Sequence, residues 1–161
     1  MKYRLKLINS VLLAVISISA SCNKAAPKTS TPPPSRVLDY VSSVTFLRAS
    51  GEVISSVDVA VAESPEERSE GLMDVRELPR DSGMIFLFPK EEPLCFWMAN
   101  TPLPLDIIFV NADSSIVRIH HNTQPFSEGQ LLSEKPAQYV VEVNAGYCIS
   151  KDIKEGDRIR F

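Results

Sequence analysis

Acidic side chains outnumber basic ones in this 161-residue chain, 20 Asp and Glu against 17 Lys and Arg, for a net charge of −3. Three of the basic residues, Lys2, Arg4 and Lys6, lie at the very start; without residues 1–21 the count is 14 basic to 20 acidic, near −6. That balance argues against nucleic-acid partners, which require a basic face that releases counterions, and against electrostatic adhesion to anionic headgroups.

In chain order, the first segment reads as a secretory signal. The basic start is followed by a mostly apolar stretch from Leu7 to Ala20, shorter than the about 20 apolar residues a spanning helix needs. It ends in Ser19-Ala20-Ser21 directly before Cys22, the arrangement of small residues that a lipoprotein signal peptidase accepts. The expectation is a signal peptide over residues 1–21 and a Cys22 that carries diacylglycerol and palmitate, several acyl chains being sufficient for stable anchoring. Ordinary signal cleavage to a soluble secreted protein is the alternative. Residues 22–36, with Pro32-Pro33-Pro34 among Lys, Thr, Ser and Ala, read as a disordered tether, because such a segment buries no apolar surface and its prolines keep it extended.

Residues 37–161 read as a single β-rich domain. Val53, Val57, Val59 and Val61 alternate with polar neighbours along one strand. Ser64-Pro65-Glu66-Glu67 is a capping box with proline at the first helical position, and Gly71 is a plausible stop, so one short helix is expected between them. Apolar runs at Met84–Phe88, Leu105–Val110 and Tyr139–Val143 read as strands. A turn at Asn111–Ser114 makes Leu105–Val110 and Ser115–His121 a hairpin, and Glu155-Gly156-Asp157 turns into a last strand from Arg158. The expected fold is mainly β: a compact antiparallel sandwich or partly closed barrel with one short helix.

Beyond Cys22 the cysteines are Cys95 and Cys148, which suit either a disulfide or buried free thiols. His120 and His121 are adjacent, so on a strand they point to opposite faces and do not chelate one metal together. No metalloprotease, nucleophile-elbow, phosphate-loop or dinucleotide motif is present, and neither a metal nor a cofactor is expected.

The order of motifs carries a resemblance. Glu67-Arg68, Gly71-Leu72-Met73 and Leu78-Pro79 lead to Gly83-Met84-Ile85-Phe86. Phe96-Trp97-Met98-Ala99-Asn100-Thr101, Pro104-Leu105-Asp106-Ile107-Ile108-Phe109, Tyr139–Gly146 and Gly156-Asp157 follow. In that order the blocks, covering roughly Val57 to Phe161, resemble the domain-of-unknown-function family numbered 192. The resemblance implies a compact, mainly β domain with one short helix, often exported or lipid-anchored, and it carries no biochemical activity. The family usually has Lys or Arg where this chain has Ala99.

Strand parity sorts the candidate site residues. Asp106 shares a face with Ile108 and Val110, and Glu142 shares one with Asn144. An acid within an apolar strand must be exposed, hydrogen-bonded, paired or shifted in pKa. If the two faces adjoin, Asp106, Glu142 and Asn144 form one polar patch with Arg68 as counter-ion. Trp97, beside the stiff loop that begins at Asn100, makes a wall for a glycan or peptide pocket. The expected protein is a monomer of the cell envelope, held to the membrane through lipid on Cys22, and a non-catalytic module for a protein or glycan ligand. The alternative is an envelope hydrolase or lyase using Asp106 and Glu142.

Overall fold

A computed structural model describes residues 35–161; the expected signal peptide, Cys22 and the tether up to Pro34 lie outside the described residues. The elements are β1 (Ser42–Leu47), β2 (Val53–Ala62), α1 (Pro65–Glu70), β3 (Ser82–Phe96), β4 (Leu105–Val110), β5 (Ile116–His120), β6 (Leu131–Asn144), α2 (Tyr147–Lys151) and β7 (Arg158–Arg160). The strands form one sheet in the order β5-β4-β6-β3-β2-β1-β7. The sheet curls until its two outer strands touch. Ser115 bridges Arg158, Ile116 N–H donates to the Asp157 carbonyl at 2.8 Å, and Ile159 N–H donates to the Ser114 carbonyl at 2.9 Å. The fold is therefore mainly β and partly closed, as expected.

Two features differ from the expectation. The pairing of β2 with β3 is parallel, with α1 in the crossover between them, and every other neighbouring pair is antiparallel. A second short helix, α2, follows β6.

The curl gives the sheet two apolar faces. The concave face gathers Val44, Phe46, Val57, Val59, Ile85, Ile108, Val141 and Val143, closed by Tyr147 and Cys148 of α2. The convex face carries Ala60, Met84, Phe86, Ile107, Phe109 and Val140, covered by Leu72 and Val75 after α1 and by Met98. Every residue of β4 is buried because both of its faces are covered, which is why its sequence runs apolar without alternation.

Local chemistry fixes the elements around the convex face. Ser64 Oγ accepts the Glu67 N–H at 3.1 Å, and Glu67 Oε2 accepts the N–H groups of Ser64 and Glu63, both at 2.9 Å. Those backbone donors hold the Glu67 carboxyl below its ordinary range. Gly71 ends the helix at φ 46°, where a Cβ would press on the Phe86 ring at 3.2 Å. Ser35 and Arg36 also dock here. Ser35 Oγ accepts the Arg76 N–H, and Arg36 pairs with Glu70 at 2.6 Å and donates to the Gly71 carbonyl.

Candidate functional site

Register decides which candidates meet. Asp106 pairs with Val143, and Ile107 pairs with Glu142. Residues directly opposite on paired strands share a face, so Asp106 projects into the concave core and Glu142 into the convex one. The single polar patch expected from strand parity does not form: the two faces are the two sides of one sheet.

Asp106 is fully buried and fully bonded. Its Oδ1 accepts the N–H groups of Asn122 at 2.8 Å and Gly146 at 3.1 Å, and its Oδ2 accepts the N–H of Cys148 at 2.9 Å. Gly146 adopts φ 82° to bring these donors round. The carboxylate thus pins the β4 and β5 ends to the start of α2, charge-assisted bonds being about twice as strong as neutral ones. His121 Nδ1 lies 3.9 Å from Oδ2, and Asp106, His121 and Cys148 each place one ligand-type atom within 4.8 Å of the others. Sequence reasoning missed this trio, since only the loop after β5 and the turn into α2 bring the residues together. Both Asp106 oxygens already accept backbone N–H groups. Burial, reinforced by the adjacent carboxylate, holds the Cys148 thiol far above its usual range. The trio is built as a hydrogen-bonded pin rather than an open ligand set.

Glu142 has the opposite character. It is 5% exposed, lies between Met84 and Ile107 across the sheet, and has no hydrogen-bond partner among the described residues. Burial alone pushes its carboxyl up to about 8. It lines a cleft of about 220 Å³ between α1 and the outer half of β3, with Phe86, Phe88, Phe96, Trp97 and Leu72 among its walls. The cleft exists because β3 bulges between Leu87 and Glu92, where five steps along β3 match two along β6, and the ribbon bends. Beneath the bend, Phe96 packs edge-on against Phe86 at 5.1 Å and Phe109 at 5.6 Å. Gly83 permits the close β3–β6 approach at this point, since a Cβ there would sit 2.3 Å from the Glu142 carbonyl oxygen.

Of the six residues singled out from sequence, the cleft therefore gathers Glu142, Trp97 and Arg68. Arg68 is not the counter-ion expected of it: it donates to the carbonyls of Glu63 and Leu87, the latter at 3.0 Å, and lies over the Phe88 ring at 5.0 Å. Trp97 is 55% exposed at the rim. Asn144 stands apart, its amide donating to the carbonyls of Leu78 at 3.2 Å and Pro79 at 2.9 Å. Asn100 takes φ 55° and its carbonyl accepts the Asp74 N–H at 3.0 Å, tying the loop after Trp97 to the turn after α1. Cys95 is free and exposed beside the cleft, whereas Cys148 is free and buried in the concave core. No helix among the described residues is long and apolar enough to cross a membrane.

These features define a curled-sheet β domain whose convex face holds an unpartnered acid in an aromatic cleft. The chain belongs to the domain of unknown function 192 family (DUF192, Uncharacterized ACR), which matches residues 45–161. It is similar to a crystal structure from Sinorhizobium meliloti 1021, described as a proposed transcription regulator. That match has 39% identity and a TM-score of 0.70, over 73% of this chain and 91% of the other. A protein of unknown function from Novosphingobium aromaticivorans DSM 12444 is similar at 33% identity, over 85% of this chain and all of the other, with a TM-score of 0.71. No curated protein matches the chain.

Proposed function

We propose that this chain is a lipid-anchored envelope module that binds a small ligand, without catalysing its conversion, in the cleft above Glu142. The observation that carries the reading is Glu142 itself. Its carboxyl is almost wholly out of solvent, reaches the cleft, and has no protein partner among the described residues; acids with such shifted titration cluster where a ligand supplies the partner. The aromatic walls supply the apolar contact area usual in ligand pockets. The hydrolase or lyase alternative needed Asp106 and Glu142 to act on one substrate, and their placement on opposite faces of the sheet removes that pair.

The transcription-regulator description of the Sinorhizobium relative does not suit this chain. The chain is acidic, and the helices among the described residues, of six and five residues, are too short to serve as recognition helices in a DNA groove. Membrane attachment through Cys22 rests on the small residues before it and the short apolar segment they end. Trp97 is the only tryptophan and sits at the rim of the cleft, so its fluorescence reports occupancy directly. Ligands that shift its emission should, by calorimetry, lose affinity in Trp97→Ala and Glu142→Gln while both variants melt cooperatively. Binding that survives both changes would place the ligand elsewhere and end this reading.

A further inference from the structure

We infer that the ligand of this cleft is a small organic cation, an alkylated ammonium group seated against Glu142 between the aromatic walls. This rests on the cleft being the binding site and names the chemistry it selects.

The first argument is the accounting of polar groups around the cleft. On α1, Arg68 Nη1 is shared by the carbonyls of Glu63 and Leu87 with the guanidinium over the Phe88 ring, Glu70 is paired with Arg36, and Ser69 is exposed at the rim. The Thr101 hydroxyl donates to the Ala99 carbonyl at 3.2 Å, and the Cys95 thiol is directed at the Phe96 carbonyl at 3.8 Å. On the same face, His120 of β5 lies two strands from Glu142 and has its Nε2 on the Leu132 carbonyl at 2.8 Å. The flanking Met84 and Ile107 are apolar. Glu142 is thus the ionisable group of the cleft left without a partner among the described residues.

The second argument is what such a group wants. A glycan would bring several hydroxyls to a carboxyl flanked across the sheet by Met84 and Ile107, whose side chains offer them no donor or acceptor. A primary ammonium would bring three N–H donors to one carboxyl. An alkylated ammonium brings charge and no N–H array, is weakly hydrated, and is stabilised by aromatic rings as well as by the carboxylate. Charge pairing of the desolvated carboxylate with the ligand then offsets the cost of ionising it in the cleft.

Seating the cation requires the ionised carboxyl, so binding releases one proton from Glu142 to solvent wherever the free carboxyl is protonated. With that carboxyl titrating near 8, affinity should rise about tenfold per pH unit below that value and level off above it.

The experiment uses the detergent-solubilised full chain and two probes of nearly equal shape, choline and its neutral isostere 3,3-dimethylbutan-1-ol. Trp97 fluorescence and calorimetry are followed from pH 6 to pH 9. The expected result is choline binding with the stated pH dependence, one proton released in buffers of differing ionisation heat, and at least tenfold weaker binding of the alcohol at the alkaline end. Glu142→Gln should flatten the pH dependence, and the wild-type titration stands without it should that variant fail to fold. An alcohol that binds as tightly as choline, or choline binding that ignores pH, overturns the cation inference and leaves the cleft reading intact. If neither probe perturbs Trp97 at millimolar concentration, the cation inference falls and the broader ligand screen with Trp97→Ala judges the cleft.

Discussion

Asp106 and Glu142 stand one register step apart on neighbouring strands and face opposite sides of the sheet, one saturated with backbone donors and the other without a partner among the described residues. That relationship gives two acids of one strand pair opposite environments, and the two residues should respond oppositely to the same chemical change.

Asp106→Asn keeps the shape but removes the charge that three backbone N–H groups address. It should destabilise the domain by about 1–3 kcal/mol, the cost of a weakened buried acceptor. Urea unfolding of the variant beside wild type measures this, and an unchanged midpoint would show that the α2 turn does not depend on the pin.

Glu142 makes stability fall with rising pH. Its folded-state carboxyl titrates near 8, above the ordinary value of 4.5, so the folded chain holds the proton more tightly than the unfolded chain. The resulting stabilisation is complete below 4.5 and is lost as pH rises through about 8, a change on the order of a few kcal/mol. Glu142→Gln should abolish that slope. Thermal melts of both proteins at a series of pH values decide the matter, with parallel curves counting against it.

Gly83→Ala should cost several kcal/mol, because its Cβ would lie 2.3 Å from a backbone oxygen that cannot move without breaking the β3–β6 ladder. Loss of a cooperative melt, or a midpoint far below wild type, is the expected outcome. A near-neutral variant would mean the strands can separate locally at no cost.

The two described cysteines should differ in reactivity. Cys95 is exposed at the cleft and should be alkylated in the native protein, whereas the buried, protonated Cys148 should react only on unfolding. Peptide mass mapping after native labelling reads both sites at once. A bulky adduct on Cys95 should also weaken any ligand that quenches Trp97.

For the proposed anchor, Cys22→Ser should block palmitate labelling and either arrest processing or release the protein from membranes. Membrane fractionation of wild type and variant checks it, and a cleaved variant that stays on the membrane would contradict lipid attachment.

What could be read from residue order was local. The capping box at Ser64–Glu67 predicted α1 because its partners lie three residues apart, and the turn at Asn111–Ser114 predicted the β4–β5 hairpin for the same reason. Parity within β4 and β6 also held: Asp106 does share a face with Ile108, and Glu142 does share one with Asn144, the two pairing with Ile107 and Leu105 of the convex face. Register between strands is a non-local quantity. A single step of slip exchanges the faces, so Asp106 and Glu142 could not be placed relative to each other from periodicity. Short α2 escaped notice because its N-cap is Gly146 in a left-handed conformation, without a side-chain cap. Prolines at 89, 93 and 136 disguised how far β3 and β6 run, since proline within a strand ordinarily signals its end.

Closure of the sheet has a kinetic consequence. The first strand of the domain is held between β2 and the last, with Thr45 beside Arg160. Contacts spanning more than a hundred residues make a high contact order, and such topologies fold slowly because the loop must close before the pairing rewards it. Whatever delivers this chain, ribosome or secretion channel, cannot release the closed sheet until β7 has emerged. Until then β1 lacks its partner, and the nascent domain exposes a strand edge of the kind that chaperones shield.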